Sequence, residues 1–307
     1  MLPLNGIRPR IAAAEYPCAF TGHVPLAAPA GIRDATAMNE LADSHIHLDD
    51  PRFDPDRDSL IRDAHQQGIR EQIVPATRRR DWPRVEQIAR RPGIHAAYGL
   101  HPLFQADHRP DDIAALKAWL LERPGQAVAV GEIGLDFHAP DSDRETQQWY
   151  FRQQLQLAAE LDLPVIIHAR KAMDEVIAQL RRQPHLRGVM HAFAGSRQQA
   201  DQLLALGFHF GIGGTVSYPR AQRLRSIVQS MPVERILLET DAPDQPVAGY
   251  QGQRNLPVRL LNVLQSVAEL RRTSPAALAR QTLDNTCALF RLPARPAAEA
   301  PPVFTAN

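Results

Sequence analysis

His45 and His47 stand two residues apart in the run Asp43-Ser44-His45-Ile46-His47-Leu48. On an extended strand, side chains two apart point to the same face. If that face looks into a closed barrel, both imidazoles reach one metal ion. The pair alone is thin support, because neighbouring surface histidines arise by chance. Further along, Glu132, His168, His191 and Asp241 each end or closely follow a short apolar run. One buried histidine is ordinarily a satisfied core residue. Four histidines and two carboxylates gathered at strand ends are a different matter. Buried together without a cation, the carboxylates would repel and the imidazoles would compete for partners. A divalent metal removes that conflict.

Six ligands exceed what one tetrahedral ion with an open position takes, and they suit two ions sharing a carboxylate. Glu132, midway along the strand order, is the expected bridge. Imidazole and oxygen without thiolate favour zinc, manganese, cobalt or iron, with magnesium accepted where water completes the shell. Two ions about 3.5–4 Å apart stabilise the attacking and leaving oxygens of phosphodiester hydrolysis and lower the pKa of bound water. Asp241 is expected to ligate one ion and accept a proton from that water. Glu132 and Asp241 are thus the expected catalytic carboxylates.

These residues need a scaffold that brings strand ends together. Apolar runs at 41–45, 71–76, 95–99, 127–133, 164–168, 188–191, 208–213 and 235–240 read as strands. Between them, helical patterns cover 56–68, 81–91, 111–122, 143–162, 171–182, 197–207 and 220–230, and two more follow at 257–270 and 275–290. Capping boxes are expected at Ser142 with Glu145 and at Ser196 with Gln199. The run Val165-Ile166-Ile167 is continuously apolar, as a parallel strand buried on both faces requires. Eight strand–helix units over about 250 residues make a (β/α)8 TIM barrel the expected fold, with a doubly wound sheet as the alternative. The barrel domain is expected over 41–293, with a disordered Pro/Ala-rich leader at 1–40 and a disordered tail at 294–307. Met38 is a candidate natural start within that leader.

Composition narrows the classes. A net charge of +1 creates no global field marking a dedicated polymer or membrane-surface binder. Of the 35 basic side chains, only Lys117 and Lys171 are lysines. Cys18 and Cys287 supply neither a disulfide framework nor a thiolate zinc site. No apolar run has the length of a membrane span. A cytoplasmic protein with no obligate protein partner is expected.

Several stretches together resemble the TatD family of metal-dependent nucleases, among the amidohydrolase-like barrels. They are the Asp43–Leu48 run, Gly99-Leu100-His101-Pro102, Gly131-Glu132-Ile133-Gly134-Leu135-Asp136, the strand ending at His168, His191-Ala192-Phe193-Ala194-Gly195-Ser196, and Leu238-Glu239-Thr240-Asp241-Ala242-Pro243. They run in family order over about 41–293. Gly211-Ile212-Gly213-Gly214-Thr215 and Gly249-Tyr250-Gln251-Gly252-Gln253 are closest to its YjjV-like branch. The resemblance implies metal binding at His45, His47, Glu132, His168, His191 and Asp241, with Glu132 where related barrels carry a carbamylated lysine. It also implies hydrolysis of DNA, including 3′-to-5′ exonuclease action.

Other residues are candidates for substrate contact. His101 is expected to face the cleft, where it contacts a phosphate or stabilises its turn. Gly213 and Gly214 present backbone amides to a phosphate or serve tight packing at a barrel corner. Arg170, Lys171 and Arg254 are candidate phosphate contacts. Asp43 is a candidate to orient a ligand histidine or to cap a loop, and Asp136 is a candidate to orient a ligand histidine. The expected function is a two-metal hydrolase of DNA or a small phosphodiester. Its alternatives are an amide or ester hydrolase using the same metals, and a non-catalytic metal-binding barrel. A nuclease needs a groove with phosphate donors, whereas an amidohydrolase needs a closed apolar pocket.

Overall fold

The computed structural model describes residues 40–138 and 143–292. The strands are β1 (Leu41–Asp43), β2 (Ile69–Pro75), β3 (Ile94–Tyr98), β4 (Ala127–Asp136), β5 (Val165–Arg170), β6 (Gly188–Met190), β7 (His209–Ile212) and β8 (Ile236–Leu238). The helices are α1 (Arg57–Gln66), α2 (Trp82–Ala89), α3 (Asp112–Leu121), α4 (Arg144–Glu160), α5 (Met173–Leu180), α6 (Arg197–Ala205), α7 (Gln222–Ser230), α8 (Leu260–Arg271) and α9 (Pro275–Phe290). Apart from Glu40, the expected leader lies outside the described residues, as does the expected tail.

The strands form one sheet in chain order, every neighbouring pair parallel. Main-chain bonds beyond the ends of β1 and β8 close the circle. Ser44 N donates to Leu238 O at 2.9 Å, Asp241 N to His45 O at 2.9 Å, and His47 N to Ala242 O at 2.8 Å. The fold is the expected TIM barrel, and the doubly wound alternative falls away.

Local chemistry sets the helix boundaries. The Ser196–Gln199 capping box forms as expected and starts α6. Ser142 lies outside the described residues; α4 is capped instead by Asp143, whose carboxylate accepts from Glu145 N and Thr146 N. α7 buries Leu224, Ile227 and Val228, a stripe at helical spacing. α9 begins with Pro275 after a Ser274 cap, which suits a position whose N–H has no helical partner.

Two apolar layers result. The larger packs helices against the outside of the sheet and joins, among others, Leu60, Val85, Leu116, Phe151, Val176 and Val263 to strand residues such as Val130 and Ile167. The smaller gathers Ile73, Ala97, Ala129, Ile166, Val189 and Leu237, one from each of six strands, with Leu289, Phe290 and Leu292. Alternation places this strand set on the inner face, so the C-terminus of α9 plugs one end of the barrel. The other end is left for chemistry.

His209, at the start of β7, has its pKa lowered from 6.5 to about 4, by burial first and the Arg235 charge second. A histidine neutral in the fold but free to protonate when unfolded supports stability above pH 6.5 and loses that contribution as pH falls towards 4. Urea unfolding at pH 7 and pH 5 should therefore show a smaller fall for His209→Gln than for the unsubstituted protein. Equal falls would remove His209 from the acid response.

Candidate metal centre

β1 stops at Asp43, so His45 and His47 lie past the strand and not on it as expected. Asp43 is the reason. Its Oδ1 accepts from His45 N at 3.2 Å and Thr240 N at 3.0 Å, and its Oδ2 from Thr240 Oγ1 at 2.6 Å. The His45 amide is thereby taken out of the sheet ladder and the chain bends. Asp43 acts on the main chain of His45, as a loop cap, and also ties it to the segment carrying Asp241. The two imidazoles still converge, with Nε2 atoms 3.2 Å apart.

Glu132 projects from β4 and divides its oxygens between two groups. Oε2 lies 3.3 Å from His45 Nε2 and 3.5 Å from His47 Nε2. Oε1 lies 3.1 Å from His101 Nε2, 3.3 Å from His168 Nδ1 and 3.9 Å from His191 Nε2. Asp241 stands between the groups. Its Oδ1 is 3.7 Å and 3.6 Å from the Nε2 atoms of His45 and His47, and its Oδ2 is 3.7 Å from His191 Nε2. All six expected ligands meet at one place.

Behind the rings stand further carboxylates. Asp136 Oδ2 is 3.1 Å from His168 Nε2, Glu239 Oε1 is 3.1 Å from His191 Nδ1, and Asp49 Oδ1 is 3.9 Å from His47 Nδ1. A carboxylate on the outer nitrogen turns the inner lone pair towards the cluster. Asp136 was a candidate for this role; Glu239 and Asp49 were not. Period two gave a signal for Glu239, since it is two residues beyond the inward-facing Leu237. Gly211 makes room for it, because a Cβ there would stand 2.1 Å from Glu239 Oε2.

Among the described residues, three sets place ligand atoms close enough for one ion. They are His45, His47 and Glu132; His101, Glu132 and His168; and His45, His191 and Glu239. His45 Nδ1 and Glu239 Oε2 are buried without a hydrogen-bond partner. Facing nitrogens, split carboxylate oxygens and a carboxylate with one unpartnered oxygen fit divalent cations better than a closed hydrogen-bond network.

Residues 42–291 match the family model described as TatD related DNase. The chain belongs to the TatD family. It is 42% identical over 253 residues to the Escherichia coli K12 protein named "Uncharacterized metal-dependent hydrolase YjjV", a match covering 82% of this chain and 98% of that protein. It is 38% identical over 263 residues to the "3'-5' ssDNA/RNA exonuclease TatD" of Erwinia billingiae, covering 83% and 100%. The crystal structure of Escherichia coli YjjV superposes with a TM-score of 0.80 at 40% identity, covering 84% of this chain and 100% of that one.

Electrostatics in this TatD-family site favour cations. Burial alone would raise the Glu132 carboxyl, but His101 and His45 hold it well below the usual range. Burial likewise opposes charge on His47 and His191. Glu132 outweighs it at His47, set at about 9, and Glu239 with Asp241 outweighs it at His191, set at about 10. Protons on His47 and His191 thus offset part of the carboxylate charge, while burial keeps His45 and His101 on the neutral side.

The weaker candidates separate. His101 is buried; its Nδ1 accepts from Leu103 N at 3.1 Å, so its proton sits on Nε2 and is given to Glu132. It braces the carboxylate and its own turn. Gly213 and Arg170 line a cleft beside His168 and His191. Gly214 serves packing, since a Cβ there would meet Gln245 O at 2.2 Å. Lys171 is exposed, at φ 53°. Arg254 pairs both terminal guanidinium nitrogens with Asp56, at 3.0 and 2.5 Å.

Asp136→Ala should weaken manganese binding on the His168 side by about 10–100-fold, since the ring loses the partner that fixes its tautomer. Calorimetric titration with Mn²⁺ reads this directly. Unchanged affinity would mean that Asp136 does not orient the ring.

Proposed function

We propose that this chain is a two-ion phosphodiesterase acting on DNA and removing nucleotides from 3′ ends. The observation that carries the reading is the division of Glu132, one oxygen to His45 and His47 and the other to His168 and its neighbours. His45, His47 and Asp241 would hold one ion with Glu132 Oε2; His168 and His191 would hold the second with Oε1. Divalent ions bound there supply Lewis acidity towards phosphoryl oxygens and bring the pKa of water near neutral. Zinc, manganese, cobalt and magnesium all suit the donor set.

The chain's own groups do the rest. Asp241 is suited to receive the proton of the attacking water. Burial raises its pKa, and the His191 and His47 charges only partly offset this, which brings a carboxylate closer to the range useful for a general base. His101 Nε2–H holds Glu132 Oε1, so the shared carboxylate keeps its orientation. Support for nucleic acid as substrate comes from the DNase family match and from the exonuclease name of the Erwinia relative. The small net charge favours engagement of a strand end through few phosphates over binding along a polymer.

Glu132→Gln tests the reading. The amide keeps the size and one acceptor but not the charge that two dications need between them. Metal content should fall from about two ions to one, and turnover of 3′-labelled single-stranded DNA by about a thousandfold, or about 4 kcal/mol, with apo-protein melting little changed. Two retained ions with persisting activity would show that Glu132 is not shared. Cleavage of amides but of no phosphodiester by the unsubstituted protein would move the function to the carbonyl-hydrolase alternative.

A further inference from the structure

A cleft of about 180 Å³ opens beside His168 and His191. Its walls include Ala169, Ala192, Phe193 and Leu224, and Thr215 and Gln245 also line it. Pockets that enclose a drug-sized ligand start at roughly 300 Å³. This one therefore has room for a single ring system. Carbon walls, edged by the Thr215 hydroxyl, the Gln245 amide, the Arg170 guanidinium and the rings of His168 and His191, suit a planar heteroaromatic ring, its faces against carbon and its edge against hydrogen-bonding groups.

Gln245 joins that cleft to the metal centre. Its Oε1 accepts from Thr215 Oγ1 at 3.3 Å, while its Nε2 donates to Asp241 Oδ2 at 2.5 Å. Its backbone sits at φ 46°, in the left-handed region that non-glycine residues seldom occupy. Its carbonyl is lodged against Gly214, where no Cβ fits. The side chain is therefore aimed by a constrained turn. By holding Oδ2, it leaves Oδ1 of Asp241 facing His45 and His47. A ring-edge donor reaching Gln245 Oε1 would polarise the amide and strengthen the bond its Nε2 makes to Asp241.

We propose that this cleft seats the terminal nucleobase of the substrate, and that Gln245 is a positioning residue transmitting the arrival of the base to Asp241. The inference rests on the phosphodiesterase reading above. An interaction that tightens only around the reacting geometry raises turnover, whereas plain binding of the base lowers KM. The base should do both, and Gln245 should carry the first.

The test compares single-stranded DNA ending in an ordinary 3′ nucleotide with the same strand ending in an abasic one. The unsubstituted protein should turn over the base-bearing end with a kcat about tenfold higher, which corresponds to about 1.4 kcal/mol. Gln245→Met keeps the length and removes the amide. It should abolish the kcat advantage and leave the KM advantage in place. An equal kcat ratio in the two proteins, or no advantage in the unsubstituted one, would overturn the proposal. A second measurement needs no hydrolysis: calorimetric titration with deoxyadenosine. Ala194→Trp should fill the cleft from its exposed wall and abolish binding. Binding that survives in Ala194→Trp would place the nucleoside elsewhere and overturn the assignment. If the unsubstituted protein cleaves no phosphodiester with any metal, the function reading fails separately, and the nucleoside titration still decides the cleft.

Discussion

A carboxylate kept ionised inside a barrel is the constraint on which the catalytic end depends. Glu132 is buried, and burial by itself would drive it towards the neutral acid. Its imidazole neighbours work against that outcome: four of their nitrogens stand within 3.5 Å of its two oxygens. Removing any one of them leaves a buried charge less compensated, and such losses cost far more than an exposed ion pair contributes. The site is consequently a cluster whose members depend on one another.

Barrel closure and site assembly use the same bonds. The main-chain contacts joining the end of β1 to the end of β8 involve Ser44, His45 and His47 on one side and Leu238, Asp241 and Ala242 on the other. Asp43 reinforces them through Thr240. Two segments about 200 residues apart in sequence are thus held in register by the bonds that aim their side chains. A barrel that opened at this seam would lose the first set of imidazoles together with Asp241.

The two ends of the barrel are built differently. At the closed end, apolar side chains from the strands and from the end of α9 fill the interior. At the open end, Lys171, Ala192, Asp241 and Gln245 all adopt left-handed backbone conformations just beyond strands β5, β6 and β8. Non-glycine residues take that conformation at a cost of about 1–3 kcal/mol each, and such positions collect at functional sites. Here they turn the chain sharply enough to bring Asp241 over the metal centre and Gln245 against Gly214.

The strand count, the parallel order and the convergence of six imidazole and carboxylate side chains were legible in the sequence. Core packing alone would not end or follow so many apolar runs of strand length with an ionisable residue. The capping box at Ser196 was equally local, because a cap involves atoms three residues apart. What the sequence could not supply was anything set by a partner distant along the chain. Arg254 has the type and place of a phosphate contact, but the fold sets Asp56 beside it. His101 braces Glu132, since only the fold shows which of its nitrogens is occupied by Leu103 N. The end of β1 moved because Asp43 finds Thr240 across the barrel seam. Residue types and their spacing determined which chemistry was available; side-chain orientation, tautomer and pairing were decided by tertiary structure, because each depends on what occupies the few ångströms on the far side of the group.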